Sequence, residues 1–203
     1  MSSPDPSSPD LSLPDPSSPL RTPAAAVLDA VQALGPLRRR AVLLIDGPSG
    51  AGKSTLADAV AAQWPDTIPP TLVRLDDIYP GWGGLTAAIR STGRMLTDRA
   101  HGRPARWQRH DWVTDQGAEW HQVPPDRALI VEGCGALARA NGGLGDVRVW
   151  LDADDGIRKE RALARDQGAF EAHWDQWQAD WQAYRAREGP ERQANLRLRA
   201  TPA

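Results

Sequence analysis

Gly47-Pro48-Ser49-Gly50-Ala51-Gly52-Lys53-Ser54-Thr55 follows the apolar run Ala41-Val42-Leu43-Leu44-Ile45. The stretch fits the template G-x-x-x-x-G-K-[ST], and the order strand, glycine-rich loop, helix is the context that template needs. The chemistry follows from the residue types. Gly47, Gly50 and Gly52 let the backbone turn tightly and aim its N–H groups at phosphate oxygens. The helix that opens near Lys53 adds the positive end of its dipole. Lys53 reaches the β- and γ-phosphates, and the Ser54 hydroxyl can ligate magnesium. Residues Gly47, Pro48, Ser49, Gly50, Ala51, Gly52, Lys53, Ser54 and Thr55 are therefore expected to hold a nucleoside triphosphate.

Outward from the loop, apolar runs alternate with helical patterns. Residues 23–34 read as a helix with Thr22 as N-cap, Pro23 at its first position and Gly35 beyond its end. Arg38, Arg39 and Arg40 lead into the first strand, 41–45, as a solvated stretch. The helix from Lys53 runs to about Gln63, where Trp64-Pro65 stops it. Further strands are predicted at 71–75, 128–131, 147–151 and 195–199. Helices are predicted over 85–99, softened at Gly93, and over 154–187, broken near Gly168. Continuously apolar strands alternating with helices predict an α/β protein of three layers, α/β/α, around a five-stranded parallel sheet with a helical lid. Ligands on such sheets bind at the carboxyl ends of the strands.

Composition narrows the field. The 203 residues suffice for one domain with a real core, and the net charge of −2 points to neither nucleic acid nor a membrane surface as partner. Residues 1–22 repeat Ser, Pro and Asp; they cannot bury enough apolar surface to offset chain entropy and read as a disordered tail ahead of a triphosphate-binding domain over 23–203. The single Cys134 excludes an internal disulfide and a cysteine-rich zinc site, and reads as a small buried residue. Lys53 and Lys159 are the two lysines of the chain, and one of them stands where the loop requires it. The sequence has neither a bilayer-spanning apolar run nor a secretory leader pattern, so a cytoplasmic monomer or homodimer is expected.

The strand ends carry the candidate chemistry. Asp76-Asp77 follow the second strand; a carboxylate there can take the proton of an attacking hydroxyl or hold magnesium. Alternation along an extended segment points the two to opposite sides, and Asp76 is the preferred candidate. Glu132 ends the third strand as a second magnesium-side carboxylate, and the following Gly133 admits close approach. After the fourth strand, Arg158, Arg161 and Arg165 recur at i, i+3, i+7, one helical face that suits a lid over transferring phosphates. Trp174, Trp177, Trp181 and Tyr184 form an apolar stripe that packs on the sheet, on the lid or on a partner.

Together these residues resemble the uridine kinase/phosphoribulokinase branch of small P-loop kinases, over most of 41–199. GPSGAGKST is similar to the phosphate loop of that branch, LDDIY (75–79) to its strand-two signature, IVEG (130–133) to its strand-three signature and RKERALARD (158–166) to its lid. The resemblance implies a P-loop kinase fold with ATP and Mg²⁺ as cofactors. It implies Asp76 as the base for the acceptor hydroxyl, Glu132 with Ser54 on magnesium, and Arg158, Arg161 and Arg165 facing phosphate. Uridine kinases grip the nucleoside with a Tyr/Phe-Asp-His segment. Here the region 104–112 keeps aromatic, Arg, His and Asp chemistry in a different order. Arg106, Trp107, Arg109 and Asp111, with Asp76 and Tyr79, are the acceptor-binding candidates. Asn195-Leu196-Arg197 falls where relatives approach adenine. The lid lacks the doubled arginines of the larger kinases.

The function expected from these readings is transfer of the ATP γ-phosphate to a hydroxyl of a nucleoside-like or sugar-like small molecule. A nucleoside monophosphate or shikimate-type kinase is the neighbouring alternative, for which Arg90, Arg94, Arg106 and Arg109 would meet an anionic acceptor. A regulatory NTPase without a small acceptor is the other; the chain has no guanine-reading N-K-x-D sequence.

Overall fold

A computed structural model describes residues 22–165 and 170–200. The tail read over 1–22, Thr22 apart, and the break read near Gly168 lie outside the described residues, as does the side chain of Arg165. The elements in chain order are α1 (Pro23–Ala33), β1 (Val42–Asp46), α2 (Lys53–Ala62), β2 (Thr71–Arg74), α3 (Leu85–Ala100), β3 (Ala105–Asp111), β4 (Gln116–Val123), β5 (Leu129–Glu132), α4 (Arg139–Gly142), β6 (Val147–Asp152), α5 (Asp155–Arg165), α6 (Trp174–Glu188), α7 (Pro190–Gln193) and β7 (Leu196–Arg199).

Strands β2-β5-β1-β6-β7 form the predicted five-stranded sheet, and every pairing in it is parallel. Both faces are covered, which is why β1 reads as a continuous apolar run. Leu43 and Ile45 join the core beneath α1 and α2, while Leu44 joins the opposite core with α3 and α6. The sheet places β1 between β5 and β6, so the chain leaves the sheet's centre through the glycine-rich loop at their carboxyl ends.

The arginines at 38–40 form a 3-10 turn in which Arg39 and Arg40 are exposed, as a solvated stretch would be; Arg38 donates to the Pro65 carbonyl, Arg39 pairs with Asp66 and Arg40 donates to the Pro125 carbonyl. Gly93 does not interrupt α3. A Cβ there would lie 2.8 Å from Asn141 Oδ1, so the glycine admits the close approach of a neighbouring buried amide. Residues 105–123 form an antiparallel hairpin of β3 and β4, with an irregular register between Gln108 and His110. Its alternation is masked by polar residues on both faces, because one face packs on α3 through Trp107 while the other meets solvent.

The loop itself is braced from above. Gly50 has φ +80°, and a Cβ on it would lie 1.8 Å from the backbone oxygen of Arg158 in α5. Gly50→Ala is expected to destabilise the fold by about 1–3 kcal/mol through backbone strain alone, and to weaken nucleotide binding as α5 is pushed off the loop. A urea melt paired with an ATP titration checks this; wild-type values in both would contradict the packing described.

Candidate active site

Two amides of the loop are bonded within the protein, that of Gly47 to Asp46 and that of Ala51 to the Pro48 carbonyl. Gly52, at φ 92°, caps α2 without any side-chain hydrogen bond, so the first turn keeps donors for an incoming anion. Lys53 is almost fully buried, and its Nζ donates to the Pro48 carbonyl at 2.9 Å and lies 3.7 Å from Cys134 Sγ. Burial works against its ammonium, but Cys134, Glu132, Asp76 and Asp46 outweigh that and hold its pKa above the ordinary lysine value. Burial also pushes the Cys134 thiol up, while Lys53 pulls it the other way.

Ser54 Oγ donates to Glu132 Oε1 at 2.9 Å, joining the start of α2 to the end of β5. Glu132 is buried, and burial raises its pKa while Lys53 pulls the other way. Arg74 lies 3.7 Å from the same Glu132 oxygen and also pairs with Asp58. Lys53, Ser54, Glu132 and Cys134, with Ser49, Asp76 and Arg161, line a pocket of about 290 Å³ over the loop.

Asp46 ends β1 and was not singled out in the sequence. It is fully buried and accepts four donors: the amides of Gly47 (2.7 Å), Gly135 (3.2 Å) and Leu137 (2.9 Å), and the Tyr184 hydroxyl (2.6 Å). Burial raises its pKa; the Tyr184 hydroxyl, the Leu137 amide, Lys53 and the Gly47 amide act against that. Its task is structural: it fastens β1, the turn after β5 and α6 into one base beneath the loop. An acid closing a buried strand just ahead of the first glycine was the available signal.

A second, larger cavity of about 750 Å³ opens beside the phosphate pocket. Its polar wall is Ser49, Ser54, Arg74, Asp76 and Asp77; the rest is aromatic, with Tyr79, Trp82, Trp112, Phe170, His173 and Trp177. Trp82 stacks on Phe170 (5.0 Å between centroids) and on His173 (4.7 Å). The Trp112 indole donates to the Asp76 carbonyl at 2.9 Å, so the hairpin tip fixes the backbone that carries this acid. Burial, then the charge of Asp76, raise the Asp77 pKa. Tyr79 offers its ring to the cavity, since its hydroxyl is committed to the Cys134 carbonyl at 2.8 Å.

The candidates from the sequence are thus distributed unevenly. Gly50, Gly52, Lys53, Ser54, Thr55, Asp76, Glu132 and Arg161 come together around the phosphate pocket, and Asp76 and Tyr79 line the aromatic cavity. Arg158 turns away. It binds Asp155 (2.7 Å) and Gln178 (3.0 Å) and lies over the Trp181 and Trp174 rings, because its guanidinium is held between α5 and α6. The side chain of Arg165 lies outside the described residues. Arg106, Trp107, Arg109 and Asp111 do not line the cavity. Arg106 covers the Trp120 ring and Trp107 stacks on His121, while Arg109 pairs with Glu119 and Asp111 accepts from the Val113 and Thr114 amides. Asn195 sits at the far end of the sheet, bonded to the Arg148 amide. Arg197 lines a third cavity of about 660 Å³ beyond Pro48, with Arg158, Trp181 and Arg185.

These features define a three-layer α/β/α protein of the P-loop kinase fold. In fold the chain is similar to a structure from Silicibacter sp. TM1040 provisionally assigned as a fructose transport system kinase. The identity is 21%, the match covers 87% of this chain and 99% of that one, and the TM-score is 0.63. It is also similar to a Bacillus stearothermophilus structure provisionally assigned as a uridine kinase, with 16% identity over 85% of this chain and 97% of that one, at a TM-score of 0.56. No protein-family model and no curated protein matches the sequence. Among the described residues no helix is long and apolar enough to cross a membrane.

Proposed function

We propose that this chain is an ATP-dependent small-molecule kinase, of the uridine kinase-like kind, that moves the γ-phosphoryl group to a hydroxyl of a nucleoside-like or sugar-like acceptor. The observation that carries the reading is that the phosphate pocket and the aromatic cavity meet at Ser49, Ser54 and Asp76, which line both. A donor bound over the loop and an acceptor seated among the rings would face each other across Asp76.

The roles follow from the positions. Lys53 and the loop amides hold the β- and γ-phosphates. Asp76 accepts the proton of the attacking hydroxyl. Arg161 offsets charge that develops on the transferring group. Among the described residues no three His, Cys, Asp or Glu side chains cluster to hold a metal. Mg²⁺ needs no such cage: it keeps several waters and binds through one or two protein oxygens plus substrate phosphates, which suits Ser54, Glu132 and Asp76. When bound it would supply positive charge that offsets that of the phosphates. An anionic acceptor fits less well, since the cavity presents Asp76 and Asp77 against a single Arg74 already paired with Asp58 and Glu132. That favours an uncharged acceptor over a nucleoside monophosphate. The enzyme would act in the cytoplasm, as a monomer or homodimer, without nucleic acid or membrane.

ATP turnover against a panel of nucleosides, nucleotides and sugars tests the reading. One uncharged acceptor should raise turnover about tenfold or more over acceptor-free hydrolysis, and removal of Mg²⁺ by EDTA should return it to background. Acceptor-free hydrolysis as fast as the best acceptor rate would assign the chain to the regulatory NTPases instead.

A further inference from the structure

We propose that the Ser49 hydroxyl donates a hydrogen bond to the transferring phosphoryl group, and that Trp177 is the positioning residue that aims it. The inference rests on the kinase reading above and adds to it a link between the two cavities.

Trp177 is 4% exposed on α6, and its indole Nε1 donates to Ser49 Oγ at 2.9 Å. An indole N–H is a donor only, so this contact fixes the direction of the bond: the serine oxygen accepts. The serine's own proton is then left to seek an acceptor elsewhere. The protein offers Cys134 Sγ at 3.7 Å, a weak acceptor at long range. The other direction open to Ser49 is the space it lines between the phosphate pocket and the aromatic cavity, where the γ-phosphoryl group would pass. A phosphoryl oxygen there is a far stronger acceptor than a thiol.

Two further contacts hold Trp177 in register with the loop. Seven residues along α6, the Tyr184 hydroxyl is bonded to Asp46 at the base of the same loop. On the cavity side, the Trp177 ring stands edge-on to Tyr79 at 4.9 Å between centroids and 74° between planes. An acceptor seated in the cavity therefore rests on the ring whose N–H orients the loop serine. Acceptor binding would sharpen the geometry of phosphoryl transfer instead of ATP affinity.

The test is a double-mutant cycle on the full chain. Trp177→Phe keeps an apolar ring and removes the N–H; Ser49→Ala removes the hydroxyl; Ser49→Thr keeps it. Each single loss should lower kcat about tenfold to a hundredfold, with KM for ATP and acceptor within about twofold, since the bond is made to the transferring group. Ser49→Thr should stay within about threefold of wild type. The double variant Trp177→Phe/Ser49→Ala should be no slower than Ser49→Ala alone, because Trp177 acts through that hydroxyl. Effects that multiply, or a Ser49→Ala enzyme with unchanged kcat, overturn the proposal and leave Trp177 a packing residue. Thermal midpoints guard against misfolding; should Trp177→Phe unfold, the contrast between Ser49→Ala and Ser49→Thr decides. Absence of stimulation by any acceptor in the wild type would sink the kinase reading, and the same cycle would then be scored on acceptor-free ATP hydrolysis by the same criteria.

Discussion

Asp76→Asn is expected to lower kcat for phosphoryl transfer by about 10³-fold, within the 10² to 10⁴ that a positioned general base contributes. Asparagine preserves the size of the side chain and the Trp112 bond to the residue-76 carbonyl, so the cavity wall should survive. What is lost is the carboxylate between the two cavities. KM for ATP should move little, since the loop amides, Lys53 and the other magnesium candidates Ser54 and Glu132 remain. Steady-state kinetics on both substrates separates these outcomes. A kcat within about threefold of wild type would remove Asp76 from the role of base. Its neighbour Asp77, which also lines the cavity, would then be the next residue to replace.

Asp46→Ala is expected to cost about 3–5 kcal/mol of stability, because it strands several donors at once and each buried unpaired group costs about 1–3 kcal/mol. The amides of Gly47, Gly135 and Leu137 and the Tyr184 hydroxyl would all lose their acceptor in a site closed to solvent. Loss of the fourth bond would also free α6 from β1. Urea denaturation at neutral pH measures this. A loss below about 1 kcal/mol would mean that water replaces the carboxylate at the loop's base.

The contrast between Asp76 and Asp46 shows what the sequence made legible. The phosphate loop is contiguous, so its chemistry can be read from one line of residues. Asp76 and Glu132 could be picked out because they end or follow strands whose carboxyl ends meet at the loop, and both line the pocket there. β1 and β5 were legible because burial on both faces writes itself as unbroken apolar runs, whereas the edge strand β7 showed as alternating Leu and Arg. Asp46 escaped because three of its four partners, the amides of Gly135 and Leu137 and the Tyr184 hydroxyl, are brought to it only by the fold. The aromatic cavity escaped for the same reason. Its rings come from four separate stretches: Tyr79 and Trp82 after β2, Trp112 on the hairpin, Phe170 and His173 ahead of α6, and Trp177 within it. No local spacing joins them. The Trp174–Tyr184 stripe was legible as an apolar helix face, and all four of its rings are buried. That one of them also reaches the loop depends on an indole nitrogen whose partner only the fold supplies. The segment 104–112 was read as acceptor chemistry for its aromatic, Arg, His and Asp residues; Trp112 lines the aromatic cavity, while Arg106, Trp107 and Arg109 pair across β3 and β4.

The bonds from Trp177 to Ser49 and from Tyr184 to Asp46 span 128 and 138 positions of the chain. They impose an order on biosynthesis. The ribosome delivers the phosphate loop early, together with the strand and helix that frame it. Its two latches arrive only after the hairpin, β5, β6 and the lid have been made. A nascent chain therefore displays a recognisable nucleotide motif long before it owns a finished nucleotide site, and contacts of such long range are slow to form. Synthesis halted between Arg165 and Trp174 would leave the loop exposed with neither latch, a form for chaperones to hold or proteases to clear.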